Sequence, residues 1–240
     1  MIHPTAIIHP NAQLDEGVKV GAYSIIDEQV IIGRDTVIGD HVKISGKTII
    51  GQRNKIYSFA LEIGHDNVIR EFCTFNIGTI DDGGVTRLGN HNWIMAYVHL
   101  AHDCQVGNHT TFANNASLAG HVHVDDWAIL AGFSGVHQFC RVGAHSFIGI
   151  SAVVTQDVPP FVTVAGNPTS PHGVNSEGMK RRGFSAEEIM AVKRAYKKLY
   201  RSSLSLEDAK IAIKELVAEY PKMESFLDFL LQPSSRGIMR

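Results

Sequence analysis

The stretch "HLAHDC", residues 99–104, sets His99 and His102 three apart, with a carboxylate at Asp103 and a thiol at Cys104 directly behind. Three chemistries suit these residue types. Imidazoles with a carboxylate can ligate zinc, and a thiol beside an imidazole can be an activated nucleophile. An imidazole oriented by a carboxylate can also work as a general base near neutral pH. Which of these applies depends on where the backbone points each side chain.

The elements that must position them are announced by a repeat. Large aliphatic residues recur at every sixth position from Ile2 through Ile8, Leu14, Val20, Ile26, Ile32, Ile38, Ile44 and Ile50 to Ile56. The phase slips by one to Ile63, Ile69 and Phe75, and breaks at the glycine-rich "DDGGVT". It then returns at Leu88 and holds without a miss to Val154. A small or β-branched residue follows four positions after most beats, as at Ala6, Thr36, Thr110 and Ala116. A beat of six is neither a helical period nor a plain strand alternation; it fits a short strand and a turn. Three such units close an eighteen-residue triangular coil that stacks on the next at strand spacing. The expectation is a mainly β protein, a parallel β-helix of hexapeptide repeats over residues 1–160.

Paired prolines in "QDVPPFV" deny the ladder its N–H donors and end the repeat. Residues 161–240 read as a linker and a C-terminal α-helical domain, with the chain irregular up to Gly183. Ser185 and Glu188 form a capping box ahead of Ile189, Val192, Tyr196 and Leu199 on one helical face. Ser205 opens a second helix through about Glu219, and Pro221 a third through Leu231.

The coil converts spacing into geometry. Units beginning at Leu100, Leu118 and Val136 stack, which places His102, His121 and His137 on one wall with coils about 4.8 Å apart. Cys73, Cys104 and Cys140 all fall four after a beat, so they point inward as small core residues. That removes Cys104 as a nucleophile, and no GxSxG elbow supplies a serine instead. Zinc-dependent hydratases on a β-helix use a histidine pair five apart, whereas the close spacings here are three (99, 102) and two (121, 123). A general base oriented by Asp103 or another carboxylate is favoured, and no metal is expected.

A formal net charge of -2 over 240 residues carries no basic excess of the kind nucleic acid binding needs. "MIHPTAIIHP" lacks a charged leader and a long apolar run, and no later stretch has the length of a membrane span. Three scattered cysteines without CxxC pairing fit a reducing compartment. Together these give the expectation of a soluble cytoplasmic protein.

"HLAHDC", "ANNASLAGHV", "VHQFC", "QDVPP", "GNP", "GVNSEGMKRRGFS" and "SSRGIMR", in this order over nearly the whole chain, resemble the UDP-N-acetylglucosamine O-acyltransferase family, which opens lipid A synthesis. The resemblance implies a homotrimer of left-handed β-helices with active sites in clefts between subunits. It implies transfer of a 3-hydroxyacyl group from acyl carrier protein to the glucosamine 3-hydroxyl of UDP-N-acetylglucosamine, with no cofactor beyond the carrier's phosphopantetheine. Position by position, His102 would be the general base, Asp103 its orienting partner, and the Gly120 N–H the oxyanion donor. His99, His121 and Gln138 would contact sugar or acyl group, with His137 beside them. Asn175, Glu177, Arg181 and Arg182 match the segment that meets the nucleotide and phosphopantetheine, and the two arginines suit phosphate by charge. Ile150 matches the position that closes the acyl groove.

The family carries a further loop, with a Gln-Asp pair and a Lys, between the matches of Phe59-Ala60 and Leu61; this chain runs "SFALEIG" directly across. Two competing readings are a β-helical N-acyltransferase of the same pathway and a zinc-dependent, carbonic-anhydrase-like hydratase.

Overall fold

The computed structural model describes residues 1–56, 61–79 and 84–240, and the chain divides into two compact units, Met1–Ala60 and Leu61–Arg240. The junction "SFA" and most of "DDGG" thus lie outside the described residues.

In the first unit, strands of two or three residues, from Ile7–Ile8 to Lys55–Ile56, pair in parallel as three three-stranded sheets. Partners lie eighteen residues apart, as in Ile8 with Ile26 and Ile26 with Ile44. The beat residues Val20, Ile26, Ile32 and Ile38 are buried together with Val18, Val30 and Val42. This is the eighteen-residue coil read from the sequence, seen as a parallel β-solenoid.

The second unit continues that design with three parallel sheets. One holds Gln105–Val106, His123–Val124 and Arg141–Val142; the next holds Trp93–Ile94, Thr111–Phe112, Ile129–Leu130 and Phe147–Ile148; the third holds His99–Leu100, Ser117–Leu118, Gly135–Val136 and Val153–Val154. Every beat residue from Leu88 to Val154 is buried. In the unit's first coil, by contrast, Ile63 and Ile69 are exposed. Pairs there are 25 apart, Thr74 with His99 and Leu61 with Thr86, so this coil carries seven residues more than the eighteen of the others. Cys104 and Cys140 are fully buried and Cys73 half-buried, as their place after the beat requires.

From His91 to Ser151 every sixth residue is a non-glycine residue in the left-handed region, among them Asp103 (φ 61°), His121 (60°) and Phe139 (64°). That conformation is uphill for an L-residue. Stacking of equivalent side chains from coil to coil offsets the cost, and the rings run in columns such as His109 on Trp127 at 4.0 Å and His121 on Phe139 at 4.5 Å.

The stretch after "QDVPP", expected to be irregular, is ordered. Val162–Ala165 adds to the sheet beside Phe147–Ile148, and Ser170–Val174 pairs back antiparallel to it. The prolines occupy the preceding corner, where no ladder N–H is needed, so "VTVA" is free to pair. A one-and-a-half-turn helix follows, α1 (Ser176–Arg181), N-capped by Asn175. The expected helices are present. α2 (Ala186–Tyr200) carries the Ser185/Glu188 capping box, and α3 (Leu206–Glu219) is capped by Ser205. Pro221–Met223 form a 3₁₀ turn into α4 (Glu224–Leu231). Their apolar faces meet in a separate cluster around Phe161, Met179, Ile213 and Phe226. The C-terminal segment returns to the coil, where Asp157 accepts from the Met239 N–H and its carboxylate takes a buried 2.8 Å ion pair from Arg141.

Candidate active site

Leu100 pairs with Leu118 and Leu118 with Val136, so the turn residues following them come into register. His102 therefore lies beside Gly120, and His121 stacks over Asp103 rather than over His102. The single wall expected for His102, His121 and His137 is thus offset. His102 and His121 do meet, edge to face at 5.0 Å, with the His121 N–H donating to the His102 carbonyl at 3.0 Å. His137 and Gln138 lie one coil further on and are exposed, with His137 Nδ1 at 3.3 Å from the Gln138 carbonyl.

Asp103 is the buried centre of this corner. Its carboxylate accepts the Thr79 N–H at 2.7 Å, the Thr79 hydroxyl at 2.6 Å and His102 Nδ1–H at 2.9 Å, while His121 Nε2 stands at 3.8 Å. Burial works to raise its pKa, but the bonds from Thr79 and His102 and the charge of His121 outweigh burial and hold it below the usual carboxylate value. An ionised Asp103 bonded to Nδ1–H fixes the tautomer of His102 and leaves Nε2 as the basic atom. The His102 side chain is 42% exposed, so that atom is reachable from solvent.

Gly120 is required by proximity. A Cβ there would lie 2.5 Å from His102 Cε1 and 2.7 Å from Nε2, closer than non-bonded atoms tolerate. The imidazole thus rests on bare backbone. The Gly120 carbonyl accepts from the Phe139 N–H at 3.1 Å, whereas the Gly120 N–H has no protein acceptor among the described residues. His99 stands on the preceding strand with Nδ1 at 2.7 Å from the Thr74 hydroxyl.

Cys104 faces the interior of the coil. Its Sγ–H reaches the Ala119 carbonyl at 3.2 Å inside the coil, and burial pushes the thiol up to about 11. Ligand-capable atoms of His102, Asp103 and His121 lie within 4.8 Å of one another, the one such metal-sized cluster among the described residues. Asp103 in that cluster is already engaged by Thr79 and His102.

The remaining predicted residues gather elsewhere. Asn175 Nδ2 donates to the His145 carbonyl at 3.0 Å, and an Arg182 nitrogen lies 3.2 Å from His145 Nδ1. The Arg182 guanidinium also lies 5.0 Å over the Trp127 ring. Trp127 and His145 belong to the corner at the far end of the Gln105–His123–Arg141 face, about six extended residues, or at most about 20 Å, from the His102 corner. Glu177 and Arg181 pair with each other at 3.3 Å across one helical turn, both exposed. Ile150 is 71% exposed on a third corner.

Three contributors were not anticipated. Thr79 comes from the loop that breaks the beat, and that break was the only trace of it. Phe139 stacks on His121, and Arg236 donates to the Gln138 carbonyl at 2.8 Å while lying over Phe139.

A hexapeptide solenoid bearing a carboxylate-oriented histidine defines a hexapeptide-repeat transferase, and residues 86–120 match the bacterial transferase hexapeptide repeat. Residues 157–239 match the family described as UDP-N-acetylglucosamine O-acyltransferase, domain 2. All of the chain aligns, at 61% identity over 99% of the relative, with the acyl-[acyl-carrier-protein]–UDP-N-acetylglucosamine O-acyltransferase of Thiobacillus denitrificans. Among solved structures, the UDP-N-acetylglucosamine acyltransferase of Francisella novicida superposes with a TM-score of 0.73 at 41% identity, covering 100% of this chain and 94% of that one. LpxA of Acinetobacter baumannii gives 0.73 at 42%, covering 100% and 99%. The chain belongs to the UDP-N-acetylglucosamine O-acyltransferase family. Its alignment with the Thiobacillus protein runs over 256 positions, more than its own 240 residues, so the relative holds residues this chain lacks.

Proposed function

We propose that this protein transfers a 3-hydroxyacyl group from acyl carrier protein to the 3-hydroxyl of UDP-N-acetylglucosamine, the first step of lipid A biosynthesis, in the cytoplasm. The observation that carries this reading is the His102–Asp103 pair resting on Gly120. His102 Nε2 takes the proton of the sugar hydroxyl as its oxygen attacks the thioester carbonyl. Asp103 holds the ring and stabilises the imidazolium that results. The Gly120 N–H, which has no protein acceptor among the described residues and lies beside that ring in the next coil, donates to the oxyanion. Collapse of the intermediate expels the phosphopantetheine thiolate, which takes up the proton from His102. The acyl group moves directly, since the only thiol nearby is buried and protonated, and the route asks for no cofactor beyond the carrier's phosphopantetheine.

His99, His121, His137 and Gln138 line the approach to this corner and are assigned to the sugar and acyl group. Asn175, Glu177, Arg181 and Arg182 are assigned to the nucleotide and phosphopantetheine. Because these two sets stand at different corners of one chain, a substrate touching both is best served by an assembly in which one chain's His102 corner faces another chain's Arg182 corner; a homotrimer does this three times. Exposed Phe72, Trp93, Tyr97 and Phe133 supply apolar surface for such contacts. Lys193, Lys197 and Arg201, spaced by four along and just beyond α2, offer the acidic carrier protein a basic face. No helix among the described residues is long and apolar enough to cross a membrane.

The test is a mass-spectrometric assay of purified protein with UDP-N-acetylglucosamine, or its 3-amino analogue, and a panel of 3-hydroxyacyl carrier proteins. O-acylated sugar nucleotide is the expected product. His102→Ala lowers turnover about 10²–10⁴-fold with the melting temperature preserved, and a loss under tenfold overturns the assignment.

A further inference from the structure

The column of rings at the second corner runs His91, His109, Trp127, His145, Phe161, with centroids 4.8, 4.0, 6.3 and 5.1 Å apart and planes within 9° of parallel. It opens widest between Trp127 and His145, and this is where Arg182 arrives. The guanidinium is half-buried, lies 5.0 Å over Trp127 and puts Nη1 3.2 Å from His145 Nδ1. Among the described residues no carboxylate pairs with it, in contrast to its exposed neighbour Arg181, which is engaged by Glu177. Burial pulls the Arg182 pKa below its ordinary value, as befits a desolvated cation without a counter-ion.

We infer that His145 is a positioning residue for the sugar-nucleotide substrate, its Nδ1 accepting one Arg182 N–H over the face of Trp127 so that the remaining guanidinium donors are presented, unpaired, to a nucleoside diphosphate. Of the two arginines, Arg182 is therefore the pre-organised one. The division of labour is physical: an aromatic face and a neutral acceptor fix a cation without neutralising it, whereas a carboxylate would compete with phosphate. His145 is suited to this because burial, and then the Arg182 charge, lower its pKa to about 4, so it accepts throughout the working range. Its ring is itself held between Phe161 and Phe184.

This rests on the proposed nucleotide role of Arg182, and the experiment separates the two. UDP alone is titrated calorimetrically into the intact protein and into His145→Phe, His145→Gln, Arg182→Ala and the Phe/Ala double variant, with steady-state kinetics alongside. Phe keeps the stack and loses the acceptor; Gln restores an acceptor. His145→Phe is expected to weaken UDP binding and raise KM for the sugar nucleotide about tenfold, with kcat and the KM for the carrier donor little changed. His145→Gln stays within about threefold of the parent, and the double variant is no weaker than Arg182→Ala. Full UDP affinity in Arg182→Ala overturns both the role of Arg182 and the inference. Weakened binding in Arg182→Ala with His145→Phe unchanged, or Phe and Gln equally impaired, overturns the inference alone.

Discussion

Replacing Gly120 by alanine adds one methyl group at the point where His102 touches backbone. Gly120 has no need of the left-handed region, so the backbone accepts alanine, and the effect falls on the neighbour. The new Cβ would stand 2.5 Å from His102 Cε1 and 2.7 Å from Nε2, against roughly 3.5 Å for a comfortable contact. The ring must retreat about 1 Å. Its exposed side lets it swing toward solvent at small cost to the fold, but the 2.9 Å bond from Nδ1–H to Asp103 then lengthens to about 3.9 Å and is lost. A misplacement of that size costs about 10²-fold in rate. The expected outcome for Gly120→Ala is thus a kcat lower by about 10², a melting temperature within a few degrees of the parent, and a double variant with His102→Ala no slower than His102→Ala alone. A variant retaining more than a third of the parental kcat, or two substitutions whose effects multiply, would refute the close-contact argument.

Cys104→Ala should keep most of its activity, and intact protein should resist alkylation of Cys104 and Cys140 at pH 8, their thiols being held by burial at about 11 and about 12; an acyl group trapped on Cys104 would contradict direct transfer. Ile150, at 71% exposed, can be changed without loss of core. On the proposal that the acyl chain lies along the coil axis and ends at Ile150, the coil spacing from the Leu100 unit to the Ile148 unit gives about 13 Å, room for roughly ten to twelve carbons. The parent protein should therefore prefer a medium 3-hydroxyacyl donor and Ile150→Gly longer ones; a preference for roughly fourteen carbons in the parent counts against it. The depressed pKa of Asp103 means the folded state releases its proton more readily than the unfolded chain, so the carboxylate stabilises the fold above the ordinary carboxylate range and ceases to as pH falls through its folded value. Denaturant titrations should show Asp103→Asn less stable than the parent at pH 7, with the gap closing as pH falls below the ordinary carboxylate value; a gap that widens in acid reverses the sign.

What depends on local period and local caps was legible without the fold. A beat of six with a small residue four later specifies which side chains fill a coil, so the buried set from Leu88 to Val154 and the inward turn of Cys104 follow from spacing alone. Ser185 with Glu188, and Ser205, mark helix starts because the bonds they make span three residues. The likeness of "HLAHDC" and its companion segments picked out His102 and Asp103 for the same local reason. Other features required the tertiary structure because they depend on residues far apart in the chain. Thr79 binds Asp103 from 24 residues away, through a loop that registers in the sequence only as a missed beat. The pairing of His121 with Asp103 and of Gly120 with His102 is itself eighteen residues and lay within reach of the spacing, whereas His102 and His121 are nineteen apart and so could not share one position of the wall. The hairpin after "VPP" forms because the last coil leaves an open sheet edge, and propensity around two prolines gives no sign of such an edge. Arg182 was legible as a charge and, through the resemblance, as part of the segment matched to the nucleotide; that it lies over Trp127 with no carboxylate partner among the described residues, while Arg181 beside it is paired, was settled by the way α1 packs against the corner of the coil.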